Sequence, residues 1–373
     1  MTMMRRWLKA TMLTCGLGLL LTSCSKDGDT VYLPDPTEQQ ASTKPLIIVI
    51  YDAEGIGDQS YNDLIYQGVE EASRKYNVRT LHISPKNYAE GLTCLETLFQ
   101  QMSNASDTIR RLCIVANSVY DEFVRKNNNR LESNQRAGLL YLETKTPLQG
   151  KGSTLYLPYY GAMYEAGNIA PLFRSHLVLL GANPVNESVA EALKGFNDGF
   201  NDRQDDIAQG GSLNFEERTL QTIYLGQKAG EGFSIDDEQA LDLLHEYDID
   251  NEYTHMLIPV CGGAGSTFMR LADINGAYTY MGVDCSQTSY FSPFSAVKHI
   301  DLAVTQSIGQ WLSAEGMPKH QSLGLASGFT EVLLHPNNAQ FRVFIQQYLG
   351  DDVRDAIHQQ AIRKEEAYEK LED

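Results

Sequence analysis

Short apolar runs alternate with amphipathic stretches along this sequence, and the alternation restricts the possible folds strongly. The first run, Leu46–Ile50, holds five aliphatic residues without polar alternation, which is typical of a parallel strand covered on both faces. Apolar residues then recur at helical spacing within residues 64–72. The loop between them, residues 52–63, therefore joins the carboxyl end of a strand to a helix. Open α/β proteins bind ligands at that edge of the sheet, so the loop predicts a binding site.

The same order of elements occurs twice along the chain. Further strand-like runs lie at residues 78–83 and 111–117, and the pattern restarts at residues 176–181. It continues through apolar runs that end at Cys261 and Asp284. Two βα series in a chain of 373 residues predict two lobes with parallel sheets and right-handed crossovers. We therefore expect an α/β protein whose two Rossmann-like lobes are joined by a hinge.

The amino terminus predicts an exported lipoprotein. Residues 5–9 are rich in basic side chains, residues 10–21 are mostly apolar but too few to span a membrane, and Cys24 follows small residues. This order resembles a signal peptide over residues 1–23 that ends in a lipobox. The resemblance implies cleavage before Cys24 and acylation of its thiol, which tethers the protein to a membrane. Because Ser25 follows the cysteine, we expect the outer membrane, at its periplasmic or its surface face.

Charge and composition restrict the partners. The formal net charge is -18 at pH 7, so nucleic acid and anionic membrane surfaces would be repelled. Residues 24–43 are polar, contain two prolines and lack periodicity, which predicts a flexible tether behind the lipidated cysteine. We expect a monomer that binds a small molecule and uses neither a cofactor nor a metal.

Four cysteines lie outside the signal and lipidation segments. Cys94, Cys113, Cys261 and Cys285 have no CxxC spacing and no histidine at metal-ligand spacing. We interpret them as small core residues. An extracytoplasmic disulfide is the alternative, and its local pairings would be Cys94 with Cys113 or Cys261 with Cys285.

Five sequence blocks follow one another across the mature chain. They comprise residues 52–68, 183–200, 262–265, 282–287 and 297–304. Their order resembles that of the basic membrane protein family of bacterial lipoproteins, also called PnrA-like purine nucleoside receptors. This chain departs from the family pattern at Gln59, where the family has Lys, and at Tyr61, where it has Phe. It also has Ala-Asn-Ser-Val at residues 116–119 in place of a G-x-G-F-like turn.

The resemblance implies a periplasmic-binding-protein type 1 fold that acts as the substrate-binding protein of an ABC importer. It implies that a purine base stacks between Tyr61 and Phe233, since each face of the base can take one ring. It also implies that Asp284 and Lys298 hold the ribose, because a carboxylate accepts from hydroxyls and an ammonium donates to them. The other predicted ligand contacts are Asp52, Asp58, Asn62, Asn117, Gly262 and Gly263.

Other interpretations of these residues stay open. Asp58 could cap the following helix, Phe233 could be a core residue, Asp284 could cap a helix, and Lys298 could be a solvated helix residue. Asp121 could replace Asn117 as the base contact. The glycine run could hold a phosphate, although the G-x-G-x-x-G spacing is missing. The altered turn leaves a sugar or another small metabolite as an alternative ligand.

The order of the blocks also predicts the lobes and the class of function. We expect residues 44–170 and 286–325 in the amino-terminal lobe, and residues 171–285 and 326–373 in the carboxy-terminal lobe. The sequence has no G-x-S-x-G elbow, no HExxH motif and no clustered histidines, so we expect a receptor and not an enzyme. A sensory receptor and a nucleoside or glycoside hydrolase are the alternatives.

Overall fold

The computed structural model describes most of the chain beyond the predicted tether. The described ranges are residues 43–208, 218–228, 230–249, 254–335 and 338–372. The predicted signal peptide, Cys24 and nearly all of the predicted tether lie outside them. Within these ranges, no helix combines the length and the apolar character that crossing a membrane requires.

A six-stranded parallel sheet forms the first lobe. Its strands in spatial order are β12 (His320–Ser322), β5 (Ser153–Tyr156), β4 (Ala137–Leu142), β3 (Arg111–Val115), β1 (Leu46–Ile50) and β2 (Arg79–Ile83). In the described part of the chain, four α-helices accompany this sheet: α1 (Tyr61–Tyr76), α2 (Tyr88–Asn104), α3 (Asp121–Asn127) and α8 (Ile300–Leu312).

Strand β1 is buried on both faces, as the unbroken aliphatic run predicted. Ile47 and Val49 belong to the same buried cluster as side chains of α1 and α8. Leu46, Ile48 and Ile50 belong to a second cluster with side chains of α2. Helices on both sides of the sheet exclude water from every residue of the strand, which explains why the run does not alternate.

The second lobe contains two adjoining sheets. One is parallel, with strands β7 (Thr219–Tyr224), β6 (His176–Gly181), β8 (His255–Val260) and β9 (Thr279–Tyr280) in that order. The other contains β10 (Gly282–Asp284), β11 (Phe294–Lys298) and the antiparallel β13 (Thr330–Leu334). The Met281 amide donates to the Leu257 carbonyl at 2.9 Å, so the two sheets are hydrogen-bonded neighbours.

Among the described residues, six α-helices belong to the second lobe. They are α4 (Tyr160–Ile169), α5 (Glu187–Ala208), α6 (Asp237–Glu246), α7 (Gly263–Asn275), α9 (Ala339–Tyr348) and α10 (Asp351–Glu372). Two βα lobes with mainly parallel sheets confirm the predicted fold class. The antiparallel strand β13 was not predicted.

The predicted lobe boundaries are wrong at two places. Helix α4 was expected in the first lobe, but its side chains share the buried cluster of the second lobe with those of α5. Strand β11 was also expected in the first lobe, but it pairs with β10 and β13. The chain therefore changes lobe after β5, after β11 and after β12, which makes three crossings.

All four described cysteines are thiols in this structure. Cys94, Cys113 and Cys261 are buried, as expected for small core residues, whereas Cys285 is half-buried. The local disulfide pairings that the sequence left open do not form here.

A carboxylate of helix α10 accepts hydrogen bonds from backbone amides that follow two of the three crossings. The Glu365 carboxylate accepts from the Gly161 amide at 2.8 Å and from the Leu325 amide at 2.8 Å. Gly161 follows the first crossing and Leu325 follows the third. Glu365 is 5% exposed, and burial raises its pKa to about 7, although the two amide bonds act in the opposite direction.

The contact between α4 and α5 depends on glycine. A Cβ atom at Gly199 would overlap the carbonyl oxygen of Tyr164, and one at Gly195 would overlap that of Tyr160. A Cβ atom at Gly167 would likewise overlap the Phe196 carbonyl. The two helix backbones therefore touch directly, with no side chain between them.

We predict that Gly199→Ala destabilises the protein by about 1–3 kcal/mol, because the added methyl group must push two helices apart. Gly350→Ala is the control, since nothing lies within 4 Å of a Cβ atom built there. Urea unfolding followed by circular dichroism measures both variants. Equal stability of the two variants would show that α4 and α5 are not in direct backbone contact.

We predict that Glu365 makes stability depend on pH. Its pKa is about 7 in the folded protein against an ordinary value of 4.5, so folding favours the protonated carboxyl group. The free energy of unfolding should therefore fall as pH rises from 4.5 to about 7. Urea unfolding at several pH values should show this loss in the wild type and a smaller loss in Glu365→Gln. Parallel pH profiles of the two proteins would contradict the prediction.

Candidate functional site

A cleft lies between the carboxyl edges of the two lobes. It contains about 640 Å³ of space that protein atoms do not fill, part of it open to solvent. The residues predicted to bind a ligand all border this cleft. They are Asp52, Asp58, Tyr61, Asn62, Asn117, Phe233, Gly262, Gly263, Asp284 and Lys298. The structure therefore brings the ten residues together, and their contact with a ligand stays a prediction.

Asp52 organises the loop that follows β1. Its Oδ1 accepts from the Glu54 amide at 3.1 Å and from Asn62 Nδ2 at 2.9 Å, while its Oδ2 accepts from Asn117 Nδ2 at 2.7 Å. Burial raises the pKa of Asp52, and these bonds act in the opposite direction. Because both carboxylate oxygens are already bonded, Asp52 serves mainly to hold the two amide side chains in place.

Asn62 carries a buried acceptor without a partner. The residue is 1% exposed, and its Nδ2 donates to the Asp52 carboxylate, which fixes the orientation of the amide. Among the described residues, nothing donates a hydrogen bond to its Oδ1. An unpaired buried acceptor costs about 1–3 kcal/mol.

Asp58 caps helix α1 and borders the cleft at the same time. Its carboxylate accepts from the backbone amides of Ser60 at 2.9 Å, Asn62 at 2.9 Å and Asp63 at 3.2 Å. The Asn62 and Asp63 amides lie in the first turn and have no partner within the helix, so the Asp58 side chain caps α1 although the N-cap position itself is Ser60. Burial raises the pKa of Asp58 to about 6, against the effect of the amide bonds.

Asp284 joins the two lobes. Ser60 Oγ donates to its Oδ2 at 3.1 Å, and its own amide donates to the Tyr159 hydroxyl at 3.0 Å. Its backbone has φ 67°, a conformation that residues other than glycine rarely adopt. Burial raises its pKa, whereas Lys298 and Ser60 act to lower it. No helix begins after this strand, so the alternative capping role is wrong.

Lys298 is buried at the end of β11 and is not the solvated helix residue that the sequence left open. Its Nζ lies 3.2 Å from Oε1 and 3.1 Å from Oε2 of Glu143, and it donates to Ser188 Oγ at 3.2 Å. The ammonium also lies 4.7 Å from the ring centroid of Tyr159. Glu143 follows β4 in the first lobe, so this ion pair spans the cleft.

Two of the aromatic rings that border the cleft, those of Tyr61 and Phe233, come from opposite lobes. Tyr61 begins α1, and its hydroxyl donates to the Ala116 carbonyl at 3.0 Å. Phe233 lies in the other lobe against Gly262, which has φ 54° and would bring a Cβ atom to 3.3 Å from the phenyl ring. Glycine at this position therefore gives the ring its place beside the cleft.

The glycine run before α7 is not arranged as a phosphate cradle. The Ala264 amide donates to the Phe233 carbonyl at 2.7 Å, and the Gly265 amide donates to the Gly262 carbonyl at 2.9 Å. Two of the first three amides of α7 are therefore already bonded. A phosphate site at a helix start needs these groups directed at the anion.

Some residues that border the cleft were not predicted from the sequence. They are Glu54, Glu143, Tyr159, Asn186 and Ser188. Glu143 could have been found, because it follows a buried strand just as Asp52 does. Asp121, the proposed alternative to Asn117, does not border the cleft and instead pairs with Arg125 at 2.8 Å.

Comparisons with known proteins identify the fold. No protein-family model and no curated protein sequence matches this chain. A solved ABC transporter solute-binding protein from Aeropyrum pernix K1 has TM-score 0.61 and 16% identity, covering 87% of this chain and 86% of that one. Another from Conexibacter woesei DSM 14684 has TM-score 0.56 and 12% identity, with coverages of 87% and 97%. The chain has the type 1 periplasmic-binding-protein fold.

The fold alone does not decide what the chain binds. A transcriptional activator of the comK gene from Bacillus halodurans has TM-score 0.60 and 13% identity, covering 86% of this chain and 97% of its own. Identities this low establish a shared fold and nothing finer. The resemblance to the basic membrane protein family therefore stays a prediction.

We predict that Lys298→Met destabilises the protein by about 3 kcal/mol, because it leaves the buried Glu143 carboxylate without its cation. Adding Glu143→Gln to that variant should recover part of the loss, since the unpaired charge is then removed. Urea unfolding of the wild type, both single variants and the double variant measures the coupling. Additive losses would mean that the two side chains do not interact.

Proposed function

We propose that this chain is a lipid-anchored extracytoplasmic substrate-binding protein that captures a nucleoside, with a preference for purines, for ABC-type uptake. One observation carries the proposal: Tyr61 and Phe233, from opposite lobes, border the same cleft as the buried carboxylate of Asp284. Two rings suit a flat base, and each stacked face contributes roughly 1–3 kcal/mol in nucleic-acid complexes.

The polar groups of the cleft complement a nucleoside. We propose that lobe motion brings an N–H group of the base to Oδ1 of Asn62, which is enclosed and has no donor among the described residues. Asp284 is a hydrogen-bond acceptor for ribose hydroxyls. Motion about the three crossings would open and close the cleft around the ligand.

The anchor and the partner belong to the same proposal. Cleavage before Cys24 and acylation of its thiol would hold the protein at a membrane, with residues 25–43 as the tether. Solute-binding proteins of ABC systems share the fold, which supports a transporter permease as the partner. We propose that the lipid anchor lies in the outer membrane.

We predict that the purified protein binds at least one common purine nucleoside, measured by isothermal titration calorimetry. Phe233→Ala should weaken binding by roughly tenfold or more, because one stacked face is lost. Phe344→Ala is the matched control, since this ring is exposed on α9 and does not border the cleft. Absence of binding to every nucleoside would end the nucleoside proposal.

A sugar is the second candidate ligand, because several carboxylates of the cleft can accept hydrogen bonds from hydroxyl groups. They are Asp52, Glu54, Asp58, Glu143 and Asp284. A non-aromatic ligand should tolerate Phe233→Ala better than a purine does. Titrations with monosaccharides under the same conditions separate the two ligands. Chromatography after incubation with nucleosides or glycosides would reveal product if the protein were a hydrolase.

A further inference from the structure

Lys298 is the only lysine, arginine or histidine that borders the cleft in the described part of the chain. Its ammonium is held by the Glu143 carboxylate at 3.1 and 3.2 Å and by Ser188 Oγ at 3.2 Å. The side chains of Lys298 and Glu143 are 4% and 7% exposed. A ligand that enters the cleft therefore finds the Lys298 ammonium already paired with the Glu143 carboxylate.

Glu143 is fixed from the opposite lobe. Besides Lys298, Ser188 Oγ donates to its Oε2 at 3.0 Å, and Ser188 lies in the first turn of α5. The Glu143 backbone has φ 55°, so the turn after β4 directs this residue into the cleft at a conformational cost. Burial raises the pKa of Glu143, while Lys298 and Ser188 act to lower it.

The charge around Lys298 is negative. The Asp284 carboxylate is enclosed by protein and interacts electrostatically with the Lys298 ammonium. With both carboxylates ionised, Glu143, Lys298 and Asp284 carry charges of −1, +1 and −1, which sum to −1. Three further carboxylates, Asp52, Glu54 and Asp58, border the same cleft. A carboxylate or phosphate group entering here would be repelled with no free cation to receive it.

We propose that Glu143 determines ligand specificity: by pairing with Lys298 it excludes anionic ligands and leaves the cleft to uncharged ones. A neutral hydroxyl group can still donate to the carboxylates, whereas an anion would have to displace Glu143 from Lys298. The choice of adenosine as the uncharged test ligand rests on the proposed nucleoside function. The role of Glu143 itself rests on the ion pair.

Adenosine and adenosine 5′-carboxylic acid test this inference, because they are similar in size and differ by one negative charge. Calorimetry gives the ratio of their dissociation constants for the wild type, Glu143→Gln and Glu54→Gln. Glu143→Gln should shift the ratio toward the acid by roughly tenfold or more, since a unit charge a few ångströms away acts strongly in a partly buried site. Glu54→Gln removes a carboxylate that does not bind Lys298, so it should shift the ratio less.

The ratio separates specificity from a general effect on lobe closure, which would change both affinities together. An unchanged ratio in Glu143→Gln, or an equal shift in Glu54→Gln, would overturn the inference. If Glu143→Gln does not fold, Glu143→Asp replaces it, and its shorter side chain should shift the ratio in the same direction by a smaller factor.

If the wild type binds no nucleoside, the proposed function is wrong, and a second measurement then tests the role of Glu143 on its own. Thermal unfolding with inorganic phosphate needs no nucleoside. Phosphate should raise the melting temperature of Glu143→Gln more than that of the wild type or Glu54→Gln. Equal shifts in the three proteins would overturn the role of Glu143 independently of the natural ligand.

Discussion

Polar contacts across the cleft hold the two lobes in the arrangement described. Glu143 of the first lobe binds Lys298 and Ser188 of the second, and Ser60 of the first lobe binds Asp284 of the second. Each of these groups is buried or partly buried and has a partner on the opposite lobe. Separating the lobes would expose all of them to water, so the closed form depends on contacts that are lost together.

The site follows from the way parallel strands end at one edge of a sheet. Asp52 and Glu143 follow strands of the first lobe, whereas Asp284 and Lys298 end strands of the second. Because the two carboxyl edges face each other, groups far apart in sequence become neighbours. Asp52 holds the neighbouring amide side chains of Asn62 and Asn117 in position.

Much of this arrangement could be predicted from sequence, because apolar runs mark the strands and the residue after each run marks the edge. That rule located Asp52, Asn117 and Asp284, and it would have located Glu143 as well. It could not locate Tyr159 and Ser188, which lie at a lobe crossing and at a helix start without a local pattern. The boundary near α4 was missed because an apolar helix has the same pattern whichever sheet it covers.

The three crossings also affect the order in which the chain can fold. The edge strand β12 of the first sheet comes from residues 320–322, and Glu365, which binds backbone amides at two crossings, lies in helix α10. Neither lobe can complete its packing until strand β12 and helix α10, which follow most of the other elements in the sequence, have been synthesised.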